Sequence, residues 1–259
     1  MIFDSHSHID DSKLKKIQND IINNLHNDNI CGIINVGCDY TTSVNSFNLS
    51  QENENVYCAL GIHPSDCDAY NLEFEKFVIE KSKNKKVVAI GEIGLDYHYP
   101  DTNKELQKEI FVKQILLADT LKLPIIIHTR DALVDTLNIL KKYSNFLNNG
   151  GVIHCFSGSY ETCKEFLKLG FYLGIGGTIT YENNKVNNFL NKIPLNRILL
   201  ETDCPYLTPL KLKGTINQPK NVNLVLDHLV EKLNLNKSDF EKIILDNVKT
   251  LFKKIEIKD

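Results

Sequence analysis

The sequence lacks any apolar run near the roughly 20 residues that a membrane-spanning helix requires. Its seven cysteines are an odd number and include no CxxC pair. The first residues, MIFDSHSHIDD, turn acidic after two apolar positions and do not resemble an export signal. We therefore expect free thiols in a reducing, cytoplasmic environment and no membrane partner.

Strong charge and compositional bias are also absent. The chain has 259 residues, 30 of them basic and 33 acidic, and 42% of its residues are hydrophobic. These values are typical of a globular protein and exclude a disordered chain, a collagen or a coiled coil. The net charge of −3 argues against a protein that coats nucleic acid through bulk charge. No linker or low-complexity tract divides the chain, so we predict one domain over residues 1–259.

What the chain does contain is a repeated unit. A short apolar run, often β-branched, ends in Gly, His, Asp or Glu, and an amphipathic stretch follows. The runs lie roughly 28 residues apart, close to the ~30 residues of a strand–helix–strand unit. Runs such as VVAIG and PIIIH are typical of parallel strands that are buried on both faces. The eight runs begin near Ile2, Ile30, Val56, Val87, Pro124, Val152, Phe171 and Arg197.

Eight such units predict an α/β fold of the (β/α)8 barrel type. A doubly wound open sheet is the alternative, but it would need a glycine-rich phosphate loop where this chain has HSHID. Helical spacing of leucines and isoleucines predicts a helix between Glu105 and Leu121. Gly170 is expected to end the helix that follows Ser159. The capping-box spacing of Ser238 and Glu241 predicts the start of a last helix there.

Metal-binding residue types end five of the predicted strands, and the active site of such a barrel lies at these ends. His6 and His8 are two residues apart, so both point the same way from an extended strand. The pair alone is weak evidence, but carboxylates and imidazoles that converge need positive charge between them. We predict two divalent ions with one bridging carboxylate, held by His6, His8, Glu92, His128, His154 and Asp203.

This predicted centre has the parts of a hydrolase. Two metals generate hydroxide from water at neutral pH, so no serine or cysteine nucleophile is needed. Asp203 and Glu92 are the predicted catalytic residues: Asp203 binds a metal and accepts the proton of the water, and Glu92 bridges. An imidazole-rich site favours Zn or Mn over Mg, although Mg is a further candidate.

Four residues near the predicted strand ends are candidates for substrate binding. His63 ends the third strand, and the guanidinium of Arg130 suits a phosphate. A salt bridge to Asp131 is the alternative role for Arg130. Tyr206 can stack on a base, with loop packing as its alternative, and Lys213 borders the mouth after the eighth strand.

Seven segments of the chain together resemble a known family. The segments DSHSHID, LGIHP, AIGEIGLDYH, IIIHTRDA, HCFSGS, LGIGG and LLETDCPYLTP have the order and spacing of the TatD family, from Phe3 to about Phe252. The resemblance implies the same six metal ligands and a deoxyribonuclease that hydrolyses phosphodiester bonds, usually from DNA ends. One departure concerns the lip after the eighth strand, where Gln218 replaces an acid and Lys213 stands for a base. It leaves the metal ligands intact.

Other functions fit the same residues. The metal site would serve ester, lactone or cyclic-amide hydrolysis, or deacylation of a D-aminoacyl-tRNA, because fold and ligands do not choose the substrate. One feature argues against hydrolysis of cyclic amides. No lysine is present at a predicted strand end to carry a carbamate that bridges the two metals, and Glu92 takes that place. A non-catalytic binding protein would be marked by a lost ligand, and all six are present. We therefore predict an exonuclease that acts on DNA ends or single strands. We expect the protein to be a monomer.

Overall fold

The computed structural model of the chain describes residues 1–257. Eight parallel strands pair in sequence order to form one barrel-like sheet with helices around it, which confirms the predicted fold. Each strand begins within one residue of the predicted start. The strands are β1 (Ile2–Ser7), β2 (Ile30–Val36), β3 (Val56–Leu60), β4 (Val87–Asp96), β5 (Ile125–Arg130), β6 (Gly151–Ile153), β7 (Tyr172–Ile175) and β8 (Ile198–Leu200).

The α-helices lie outside the sheet, and their apolar faces form the core against it. Among the described residues, no helix is both long and apolar enough to cross a lipid bilayer. The helices are α1 (Gln18–Asn24), α2 (Tyr40–Glu52), α3 (Leu72–Lys81), α4 (Lys104–Leu121), α5 (Leu133–Lys142), α6 (Tyr160–Lys168), α7 (Val222–Leu233) and α8 (Lys237–Leu251).

The connection from β7 to β8 departs from the repeated unit. Short 3-10 helices, beginning with Gly177–Thr180 and ending with Leu195–Arg197, stand where an α-helix was expected. Asn184 accepts a hydrogen bond from the amide of Val186, and such local side-chain bonds compete with helix formation. Two α-helices follow β8 instead.

Caps set the ends of two helices near the predicted positions. Ser159 accepts a hydrogen bond from the amide of Thr162 at the start of α6, and Gly170 has a φ of 85° just beyond its end. The predicted start of α8 is wrong. Its cap is Asn236, which accepts from the amide of Asp239 at 3.1 Å, so Ser238 lies inside the first turn.

The barrel closes between β1 and β8 through a few backbone hydrogen bonds and through side chains. One isolated bridge joins Ser7 to Cys204. The buried carboxylate of Asp4 accepts from the amide of Thr202 at 2.9 Å and from its hydroxyl at 2.5 Å. The hydroxyl of Ser5 donates to the carbonyl of Leu200 at 2.9 Å. These bonds satisfy buried backbone groups that the short β8 leaves without a ladder partner.

Candidate metal centre

The predicted metal ligands all lie at the C-terminal end of the barrel. Their positions follow from the strands, because each apolar run ends where its chain emerges from the core. His6 lies in β1 and His8 directly follows it, Glu92 lies in β4, His128 lies in β5, His154 directly follows β6, and Asp203 follows β8.

The structure brings five of these residues into one cluster. The Nε2 atoms of His6 and His8 are 3.1 Å apart. Oε2 of Glu92 lies 3.5 Å from Nε2 of His6 and 3.7 Å from Nε2 of His8. Oδ1 of Asp203 lies 3.5 Å from Nε2 of His8 and 3.7 Å from Nε2 of His154. These ligand atoms therefore face a common point.

The spacing and chemistry of this cluster fit a divalent cation. Donors bonded to one ion at about 2.1 Å lie roughly 3 to 3.5 Å apart, close to the separations found here. Nδ1 of His8 lies 2.8 Å from the carbonyl oxygen of Val36 and donates to it, which leaves the Nε2 lone pair facing the cluster. Imidazole and carboxylate donors together suit Zn or Mn.

Both carboxylates of the cluster stay ionised. Burial opposes the charge on Glu92, but His6 and the hydrogen bond from His128 hold its pKa well below the usual value. Burial likewise opposes ionisation of Asp203, and His154 and His8 lower its pKa. The cluster thus offers negative charge to a cation.

The backbone conformation of Asp203 and its hydrogen bond to β1 fix its position in the cluster. Its φ of 56° lies in the left-handed region, which non-glycine residues seldom adopt. Its amide donates to the carbonyl of His6 at 2.9 Å, so the turn after β8 is tied to β1. Local strain of this kind is held by surrounding structure and is concentrated at functional sites.

His128 has a different environment from the other five. Its Nδ1 lies 2.8 Å from Oε1 of Glu92, and its Nε2 lies 3.1 Å from Oδ2 of Asp96. Burial opposes protonation, yet these two carboxylates raise the pKa of His128 to about 9. Because both ring nitrogens face carboxylates, an ion bound by His128 must replace one of these contacts.

The sequence analysis missed two carboxylates that support the histidines, Asp96 and Glu201. Oε1 of Glu201 lies 3.1 Å from Nδ1 of His154 and accepts from the amide of Cys155 at 2.6 Å. A Cβ on Gly174 would lie 2.3 Å from Oε2 of Glu201, so glycine is needed there to leave room. A glycine inside the apolar run of β7 was therefore an available signal for this buried side chain.

Two cavities meet above the cluster. The first, of about 240 Å³, is lined by four of the cluster residues together with Cys38, His63, His128 and Tyr206. The second, of about 390 Å³, shares His128, His154, Asp203 and Tyr206 with the first and extends to Arg130. The two cavities therefore adjoin one another at these four residues.

His63 presents a neutral hydrogen-bond donor to the first cavity. Its Nδ1 accepts from the amide of Ser65 at 3.1 Å, so the proton of the neutral ring is on Nε2. Burial lowers the pKa of His63 to about 4. The ring meets His128 edge to face, with centroids 4.4 Å apart. This tautomer suits a substrate oxygen and is unsuited to a metal.

Arg130 lines the second cavity and is exposed. Its guanidinium lies 5.9 Å from the centroid of the Tyr99 ring. The alternative partner Asp131 instead pairs with His98 at 3.1 Å. The arginine and the exposed Tyr99 therefore form a cationic and aromatic edge on this side of the mouth.

Tyr206 lines both cavities. Its hydroxyl donates to Oδ2 of Asp11 at 2.8 Å, and Nζ of Lys13 lies 4.4 Å from its ring centroid. Lys13, which the sequence analysis did not select, thus adds positive charge near His8. Lys213 is exposed in the loop after β8 and lines neither of the two cavities.

Comparison with known proteins decides the family. The model of the family described as TatD related DNase matches residues 3–253. The chain belongs to the TatD family. A member from Bacillus subtilis, the uncharacterized metal-dependent hydrolase YabD, is 38% identical over 98% of this chain and 99% of its own length. The resemblance found in the sequence is thereby confirmed, and the protein is a metal-dependent hydrolase of this family.

Two further relatives extend this result. The crystal structure of YjjV, a TatD homologue from Escherichia coli K12, superposes with a TM-score of 0.92 at 30% identity and covers 97% of this chain and 98% of its own. A Shigella flexneri protein named 3′-5′ ssDNA/RNA exonuclease TatD is 29% identical over 90% of each chain. The whole barrel is thus shared with TatD proteins.

Proposed function

We propose that this hydrolase is a deoxyribonuclease that releases nucleotides from DNA ends, with single strands as favoured substrates. The relative named as a single-strand exonuclease supports this choice of substrate. The observation that carries the proposal is the junction of the two cavities at His128, His154, Asp203 and Tyr206. A phosphate fits against the cluster, while the adjoining sugar and base occupy the side that leads to Arg130.

The proposed ligands are the six residues predicted from the sequence. The five clustered side chains would hold one ion, and Glu92 and His128 would contribute to a second. When bound, divalent ions lower the pKa of water towards about 7 and withdraw charge from a phosphate oxygen. Glu92 faces His6 and His8 with one oxygen and His128 with the other, as a bridging carboxylate would.

The remaining steps are assigned to side chains. Asp203 orients the attacking water and accepts its proton, because its carboxylate is ionised and lies at the junction of the cavities. Nε2–H of His63 donates to a phosphate oxygen. The guanidinium of Arg130 binds the neighbouring phosphate, and the exposed ring of Tyr206 stacks on a base.

A digestion time course tests the proposal. End-labelled single-stranded, double-stranded and closed circular DNA are incubated with the protein and each of Zn, Mn and Mg. We expect mononucleotides from free ends and little cleavage of closed circles. Hydrolysis of lactones, esters or a D-aminoacyl-tRNA without phosphodiester cleavage under any metal would refute the nuclease.

A matched pair of variants refines the same assay. Arg130→Ala removes a charged contact to phosphate, so KM for an oligonucleotide should rise about tenfold or more. Lys113→Ala, on the outer surface of α4 and paired with Glu109, removes an equal charge away from the mouth and should leave KM unchanged. An equal effect of both changes would contradict the placement of substrate beside Arg130.

A further inference from the structure

Cys38 lies beside the metal centre and has no part in the mechanism above. Its Sγ is 3.8 Å from Oε2 of Glu92, the oxygen that faces His6 and His8. The same sulfur is 3.8 Å from Nδ1 of His8 and lines the first cavity. The three side chains bring one nitrogen, one sulfur and one oxygen within 4.8 Å of one another.

The backbone around Cys38 is fixed relative to this cluster. Its amide donates to the hydroxyl of Thr42 at 2.9 Å, and its carbonyl accepts from the amide of His63 at 2.7 Å. The amide of Glu92 donates to the carbonyl of Gly37 at 2.9 Å, which links β4 to the end of β2. The backbone position from which the thiol extends towards the cluster is therefore held by three hydrogen bonds.

The thiol has a restricted choice of partners. Nδ1 of His8 already donates to the carbonyl of Val36 at 2.8 Å, so its proton is engaged. The carboxylate of Glu92 is then the group towards which the thiol donates. The sulfur is 3.8 Å from the Glu92 oxygen that faces the cluster and 3.8 Å from Nδ1 of His8, the ring nitrogen that does not face the cluster. It is therefore placed either to orient Glu92 or to bind the ion directly.

We propose that Cys38 is a sulfur ligand of the ion bound by His8 and Glu92, and that it biases the centre towards soft divalent ions. The proposal rests on the metal centre proposed above. On binding, the thiol loses its proton to solvent and the sulfur donates an electron pair to the ion. Thiolates favour Zn²⁺ and similar ions over Mg²⁺ and Mn²⁺, which prefer oxygen.

Cobalt(II) substitution gives a readout that does not depend on activity. A cobalt–thiolate bond produces near-ultraviolet charge-transfer absorption, whereas nitrogen and oxygen ligands give only the weaker visible bands. We expect the near-ultraviolet band in the unaltered protein and its loss in Cys38→Ser. Cys31→Ser, at a half-buried thiol that donates to the carbonyl of Ile2, should keep the band.

Metal competition separates a ligand from a residue that only orients Glu92. If sulfur binds the ion, Cys38→Ser should lower the affinity for Zn²⁺ about tenfold or more. The affinity for Mn²⁺ should change by less than about threefold, because manganese gains little from sulfur. Equal losses for both ions would indicate orientation and overturn the proposal.

The failures of the two proposals are distinguishable. Visible cobalt bands without a charge-transfer band in the unaltered protein would reject Cys38 as a ligand and leave the metal centre standing. A protein that binds no cobalt would overturn both proposals together.

Discussion

At the scale of single residues, the two carboxylates of the centre differ in what surrounds them. Glu92 has neighbours at both oxygens: His6 and His8 face Oε2, and His128 faces Oε1 at 2.8 Å. Asp203 presents Oδ1 to the cluster and lies where the two cavities join. The first arrangement suits a residue that holds ions together, and the second suits a residue that handles a proton.

Substitution by the matching amides separates these roles. Asp203→Asn keeps an oxygen that can bind a metal but cannot accept a proton, so metal content should remain near normal. We expect kcat to fall at least about a hundredfold, without rescue by added metal. Glu92→Gln should instead lose metal. Both variants are compared by elemental analysis and by steady-state kinetics over a range of metal concentrations.

Either of two results would contradict this division. The first is near-normal turnover of Asp203→Asn at saturating metal, and the second is a defect that is fully explained by lost metal occupancy. In both cases Asp203 would act as a ligand alone.

That the proposed ligands lie near one another could be predicted, because each follows an apolar run that ends at the barrel mouth. The supporting residues could not be found in this way. Asp96 lies close to His128 because β4 continues for four residues beyond Glu92. The register of β4 with β5 is irregular between Ile90 and Ile93, so this pairing does not follow from the sequence pattern. The position of Cys38 depends on hydrogen bonds to Thr42 and to the distant His63, and the second of these is not encoded in any local pattern.

At the scale of elements, apolar runs predicted the strands well, and local polar side chains decided the exceptions. Continuous β-branched runs have few alternatives to a buried strand, so their starts were predicted within one residue. The β7–β8 connection and the start of α8 depend on asparagine side chains that bond nearby amides. The hydrogen bond of Asn184 competes with the helix that the repeated unit predicts after β7. The hydrogen bond of Asn236 places the cap of α8 before the predicted Ser238.

The start of α8 can be tested with two neighbouring alanine substitutions. Asn236→Ala removes the side chain that accepts from the amide of Asp239, and should lower the free energy of unfolding by about 1 kcal/mol. Ser238→Ala lies inside the first turn and should change it by no more than about 0.5 kcal/mol. Urea denaturation of both variants measures the difference. A larger loss in Ser238→Ala would restore the capping box predicted from the sequence.

At the scale of the whole molecule, the proposed centre joins strands from distant parts of the barrel. Its clustered side chains come from β1, β4, β6 and the turn after β8. A ligand that binds only the folded chain stabilises it by mass action, by about 2.7 kcal/mol at a hundred times its Kd. An ion bound at the proposed centre would therefore contribute to the stability of the barrel as well as to its chemistry.

Metal removal should consequently lower the melting temperature. We expect dialysis against a chelator to reduce Tm by about 5 °C, and stoichiometric Zn or Mn to restore it. Differential scanning fluorimetry gives the measurement. Glu92→Gln is the control, since a chain that has lost its metal should show no shift on chelation. An unchanged Tm in the unaltered protein after complete metal removal would be the contrary result.

The seam between β1 and β8 has a consequence for synthesis on the ribosome. His6 and His8 emerge among the first residues, but Thr202 and Asp203, which complete their surroundings, are added only after three quarters of the chain. Until then β1 has a single neighbouring strand, and the carboxyl of Asp4 lacks its hydrogen-bond donors from Thr202. A nascent or prematurely ended chain thus holds no assembled centre, so hydrolytic competence arises only when translation has passed the eighth strand.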